Sequence, residues 1–97
     1  MYYLLLYDVV NDYVARRTAF REAHLAVAGE AVARGELVLG GAFDDPVDGA
    51  ALVFSAADRS VVEEFVRNDP YVTNGLVTHW RIRPWNVVVG SQLVVQP

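Results

Sequence analysis

The side chains from which this chain could build a reactive site are few: two histidines, twelve carboxylates and eight arginines, with no cysteine and no lysine. Without cysteine there is no thiolate nucleophile, no disulfide and no sulfur ligand for a metal, and two histidines alone make a poor zinc set. Gly35, Gly40 and Gly41 fit neither the dinucleotide-binding nor the P-loop spacing. No Gly-x-Ser-x-Gly elbow is present. Asp44, Asp45 and Asp48 lack the downstream Glu of a calcium loop and read as a solvated turn. The expectation is therefore a site with no metal and no cofactor, and the chemistry left is proton transfer. His24 is the candidate base. It falls in the middle of a stripe of Tyr13, Phe20, Val27, Ala28 and Ala31, where Val or Leu would pack more cheaply. Asp69 is the candidate partner, held out of helical geometry by Pro70 and followed by Tyr71. A lone histidine on an apolar stripe is often just a satisfied core residue, and a carboxylate before proline is often just a turn residue. Together they read differently. A carboxylate bound to an imidazole fixes its tautomer and stabilises the imidazolium, which suits a general base near neutral pH.

Other residues could complete such a site. Arg17 and Arg21 lie toward the edge of the His24 stripe and would receive an anionic substrate if a pocket opens there. The backbone at Gly40-Gly41 could steady a developing oxyanion. Tyr7, Phe43, Tyr71 and Trp85 are the aromatics available to line a pocket, although any one of them could equally be core. The candidate substrate-binding set is Tyr7, Arg17, Gly41, Phe43 and Tyr71. His79, Arg81 and Arg83 share the opposite face of a later strand and read as exposed or interface residues.

These side chains need a scaffold. Residues 2–10 form a continuous aromatic and aliphatic run, read as a strand apolar on both faces. Asn11 and Asp12 start a helix predicted to run unbroken over 13–34, with Gly35 as its left-handed stop. A strand follows over 36–43, then the turn residues Asp44-Asp45-Pro46 and Asp48-Gly49, and a hairpin partner over 50–55. Asp58 caps a second helix reaching Asn68, with Val61, Val62, Phe65 and Val66 inward. Asn74-Gly75 turns the chain into a fourth strand over 76–83, closed by Pro84-Trp85 and followed by a Val-rich tail read as an extra edge strand. The order β-α-β-β-α-β is that of a ferredoxin-like α+β fold: a four-stranded antiparallel sheet with two helices on one face. Because those helices cover only one side of an amphiphobic first strand, the bare sheet face is expected to meet its copy in a homodimer.

Length and charge bound the rest. The 97 residues suit one domain, with a core over about 1–85 and the tail at 86–97. At 54% apolar the chain is compositionally globular, and a net charge of −4 argues against nucleic acid and anionic membranes as partners. No secretory leader opens the sequence and no apolar run approaches a membrane span, so a cytoplasmic location is expected.

Several of these residues stand in the order of a known family. Arg21-x-x-His24-Leu25, Gly35, Gly40-Gly41, Asp48-Gly49, Asp69-Pro70-Tyr71, Gly75-Leu76 and Pro84-Trp85 together resemble the YciI-like (YCII-related domain) family over about residues 1–90. Ala42 departs from the pattern, since many relatives carry proline there. The resemblance implies a dimeric α+β barrel similar in shape to muconolactone isomerases, with a His-Asp pair in its cleft, here His24 and Asp69. Some members of that family are dehydrochlorinases or dehalogenases. The functional expectation is a cofactor-independent lyase, isomerase or dehydrochlorinase acting on a small carbonyl or lactone-type substrate. Its alternative is a non-catalytic dimeric ligand-binding or regulatory module in which the His-Asp pair is structural.

Overall fold

The computed structural model describes residues 1–91. Eight elements follow in order: β1 (Tyr2–Val9), α1 (Tyr13–Arg17), α2 (Arg21–Ala33), β2 (Leu37–Ala42), β3 (Gly49–Ser55), α3 (Arg59–Asn68), α4 (Pro70–Thr73) and β4 (Val77–Trp85). The strands form one sheet in the order β2-β3-β1-β4 with every neighbouring pair antiparallel. This is the ferredoxin-like α+β arrangement expected from the sequence.

Alternation along β1 sorts its side chains, since successive residues point to opposite faces. Tyr3, Leu5 and Tyr7 are buried under the helices, whereas Tyr2, Leu4 and Leu6 on the other face are half-buried. Helix α3 closes one part of the helix-covered face with Val62, Phe65 and Val66, and the Phe65 ring meets Phe54 edge-on at 5.1 Å. Its start is set by Asp58, whose carboxylate accepts the Ser60 N–H at 2.8 Å. Gly35 takes a φ of 76° directly after α2, as expected of a helix stop. Gly49 begins β3 because nothing larger fits: a Cβ there would lie 2.7 Å from the Tyr7 carbonyl oxygen.

Two expectations need correction. The long first helix is two helices. Phe20 (φ −118°, ψ 0°) leaves helical geometry, and its N–H bonds to the Arg17 carbonyl at 3.0 Å, three residues back. The reason is a shared contact. Tyr13 and His24 would stand about 16 Å apart along a straight helix, yet both pack on the Tyr71 ring, with centroids at 5.7 and 3.9 Å. The break lets the chain fold around that ring. The second correction concerns the tail: residues 86–91 form no strand, with Val88 and Val89 exposed, and the remainder of the tail lies outside the described residues.

Candidate active site

Pro70 forces Asp69 into extended backbone (φ −74°, ψ 117°), which ends α3 and begins α4 in one step. The Asp69 carboxylate is completely buried and accepts three hydrogen bonds. The Tyr71 N–H donates to Oδ1 at 3.0 Å as the cap of α4, the Tyr7 hydroxyl donates to Oδ2 at 2.7 Å, and His24 Nδ1 lies 2.7 Å from Oδ1. Three elements therefore converge on one carboxyl: β1 supplies Tyr7, α2 supplies His24, and the α3–α4 junction supplies the acceptor. Burial holds the Tyr7 hydroxyl far above the ordinary tyrosine range, with the Asp69 charge and hydrogen bond adding to it, so Tyr7 acts as a donor at any working pH.

This arrangement constrains the tautomer of the imidazole. A carboxylate can only accept, so Nδ1 carries a proton, and in neutral His24 the Nε2 lone pair is left free. Nε2 has no hydrogen-bond partner among the described residues. The ring lies flat on Tyr71, 7° from parallel, which fixes its plane as Asp69 fixes its tautomer.

His24 borders a cavity of about 590 Å³ between α2 and the β2–β3 edge of the sheet, a size within the ordinary range for small-molecule sites. Leu37, Ala50 and Leu52 form its floor, Leu25, Ala28 and Val32 one side, and Arg17 and Arg21 stand in its wall. A Cβ at Gly40 would come within 3.1 Å of Leu52 Cγ, so glycine there keeps the floor clear. The Arg17 guanidinium sits 5.3 Å from the centre of the Tyr13 ring. Burial raises the Tyr71 hydroxyl, an effect partly offset by the nearby Arg21 and Arg17. Among the described residues no cluster of three His, Asp or Glu side chains could hold a metal ion.

Of the residues singled out from sequence, His24, Tyr7, Arg17, Gly41 and Tyr71 lie together at the cavity, with Asp69 directly behind them. Phe43 does not join them. The strand β2 ends at Ala42, the Phe43 N–H bonds to the Gly49 carbonyl at 2.8 Å, and the half-exposed ring packs over Gly49 at the hairpin end. Trp85 lies on the other sheet face, beside Leu4, Leu6, Arg81 and Arg83. Tyr13 lines the cavity although its position on the helical stripe read simply as core. The bond from Tyr7 to Asp69 also went unforeseen; the only hint was that Tyr7 shares the face of Tyr3 and Leu5.

Comparison with known proteins adds a family and a fold. The YCII-related domain model matches residues 1–86. Among solved structures, 5-chloro-2-hydroxyhydroquinone dehydrochlorinase (TftG) from Burkholderia phenoliruptrix, in complex with 2,5-dihydroxybenzoquinone, is similar with a TM-score of 0.76 and 24% identity, covering 89% of this chain and 94% of that one. Protein Atu4242 from Agrobacterium tumefaciens is similar with a TM-score of 0.63 and 15% identity, covering 97% and 100% of the two chains. A NIPSNAP-like domain protein from Burkholderia xenovorans has a TM-score of 0.54 and 16% identity, covering 99% and 94%. No curated protein sequence matches.

Proposed function

The chain belongs to the YCII-related domain family, and on that premise we propose that it is a small enzyme of the lyase, isomerase or dehydrochlorinase type, with His24 as general base and Asp69 as its positioning partner. One observation carries this reading: an imidazole held by a buried carboxylate through Nδ1 leaves Nε2 unpaired beside a cavity of about 590 Å³. Nε2 would take a proton from the carbon next to a substrate carbonyl, and the released C–H electron pair would pass into an enolate. From there the enolate either forms a carbon–carbon double bond as it expels a leaving group such as chloride from the next carbon, with the imidazolium proton passing to water, or, where a double bond of the substrate extends the enolate, regains the proton from the imidazolium at the far carbon of that system. Asp69 stabilises the imidazolium between the two steps, and the arginines or the Gly40-Gly41 backbone offset charge on the oxygen. The elimination arm draws support from the dehydrochlorinase among the structural relatives. None of these steps needs a cofactor.

The test is a screen of small lactones and chlorinated carbonyl compounds, followed by His24→Asn in whatever reaction is found. A positioned base is worth roughly 10²–10⁴-fold, so a loss of that size with the fold intact is expected. Unchanged turnover would remove His24 as the base. A second reading has one observation in its favour: Asp69 is completely buried with three donors, as a purely structural pair would be. Under that reading the domain binds a small ligand without transforming it, and the His24 variant changes stability but no rate.

We also propose that the chain pairs with a copy of itself through the sheet face opposite the helices, which carries the half-buried Tyr2, Leu4 and Leu6. Light scattering should give twice the chain mass, reverting to the single mass in Leu6→Glu; a monomeric wild-type protein would refute the pairing.

A further inference from the structure

Four arginines, Arg16, Arg34, Arg59 and Arg67, stand within ion-pair distance of a carboxylate. Arg17 and Arg21 have no such partner among the described residues, and both stand in the wall of the His24 cavity. That wall contains no Asp or Glu, in a protein whose net charge is −4. Their placement comes from the helix break: Arg17 is the last residue of α1 and Arg21 the first of α2, so the two flank the turn at 18–20. A cation in the first turn of a helix sits at the positive end of the macrodipole, an unfavourable position. Arg21 holds it with Glu22 beside it in the same turn, while Phe20 provides no side-chain cap.

A second observation is independent of charge. The Tyr71 hydroxyl is the single buried side-chain polar atom with no hydrogen-bond partner within 3.5 Å among the described residues. Tyr71 is 3% exposed and lines the same cavity. Buried polar groups in native proteins are nearly always paired, and the other tyrosine of the site, Tyr7, is fully paired through Asp69. Arg21 acts on the Tyr71 hydroxyl both by its charge and as a hydrogen-bond donor, so what that hydroxyl lacks is an acceptor for its own proton, and both donors address the same region. Elsewhere the wall is apolar, with Leu25, Ala28, Val32 and Leu52.

We propose that the cavity takes an organic monoanion, a carboxylate on an apolar ring or short chain. Arg21 and the Tyr71 hydroxyl hold its head, Arg17 adds charge, and its body lies along Leu25, Ala28, Val32 and Leu52. The inference rests on the proposed function in taking this cavity as the substrate site, but it does not need His24 to be a base.

Calorimetric titration at pH 8 with benzoate and its neutral isostere benzamide tests it. Benzoate should bind at least tenfold more tightly, the usual scale of a hydrogen bond to a charged group. Arg21→Met should abolish that preference, and Tyr71→Phe, which keeps the ring under His24, should weaken benzoate by about five- to tenfold. Circular dichroism checks that both variants keep their fold. Equal affinity for the two probes, no binding of either, or a preference untouched in both variants overturns the inference. A preserved benzoate preference in a protein that turns over no acid would sustain the inference while defeating the catalytic reading, so the two fail separately.

Discussion

Helix α3 turns Val62, Phe65 and Val66 into the sheet and buries all three, whereas α2, with 13 residues against 10, completely buries only Ala31. The inward positions of α2 are occupied by His24, Val27 and Ala28, and its larger apolar side chains Leu25 and Val32 are half-exposed at the cavity. Partly exposed side chains bury less area, and burial stabilises at about 25 cal/mol per Å². The sheet is thus anchored under α3 and left open under α2. The stability core and the candidate site lie under different helices of the same layer, and the imidazole borders a cavity because its helix does not seal the core there.

The largest expected effect lies on the anchored side. Phe65→Ala should lower unfolding free energy in urea by about 3–5 kcal/mol, and a loss below about 1 kcal/mol would break the contrast. The same substitution on the two helices then sharpens it. Val62→Ala removes a fully buried side chain and should cost about 2 kcal/mol. Val32→Ala, 56% exposed in the wild type, should stay within about 0.5 kcal/mol. Similar costs at both positions would mean that α2 packs as tightly as α3.

The smallest effect separates the two tyrosines of the site. Tyr7→Phe leaves Asp69 Oδ2 without its donor and should cost about 1–2 kcal/mol, while Tyr71→Phe removes an unpaired hydroxyl and should be neutral or slightly stabilising. Tyr7 also carries a pH signature. Its folded pKa is raised, chiefly by burial, so its contribution is complete below pH ~10, the unfolded value, and is lost as pH rises above it. In that alkaline range Tyr7→Phe should show a decline in stability shallower than wild type by up to about 1.4 kcal/mol per pH unit. Parallel alkaline curves would contradict the burial of Tyr7 as a neutral donor.

Strand and helix positions were largely readable because periodicity reports burial directly: Val62, Phe65 and Val66 recur at helical spacing and all face inward. The helix stops at Gly35 and at Asp69-Pro70 were equally plain, since glycine and proline restrict the backbone locally wherever they occur, whereas the short helix α4 that Pro70 begins was not expected. The break at 18–20 was not readable. No glycine or proline marks it, and its cause is a ring 58 residues beyond Tyr13, a contact absent from any local window. Phe43 failed for a related reason: an aromatic near the end of a strand can turn either way, and the bond from Phe43 N–H to Gly49 sends it over the hairpin.

By itself the order of residues determined the succession of the four strands and the places of α2 and α3 between them, the antiparallel sheet and the presence of one imidazole and one carboxyl in unusual settings, because propensity, capping and periodicity act over a few residues. Only the tertiary structure decided that the two meet at 2.7 Å, that Tyr7 completes the carboxyl's hydrogen bonds and that Nε2 is left beside an open cavity. Those outcomes depend on how far α2 stands from β2 and β3, a distance set by the volumes of side chains from four elements at once, and no single stretch of the chain contains it.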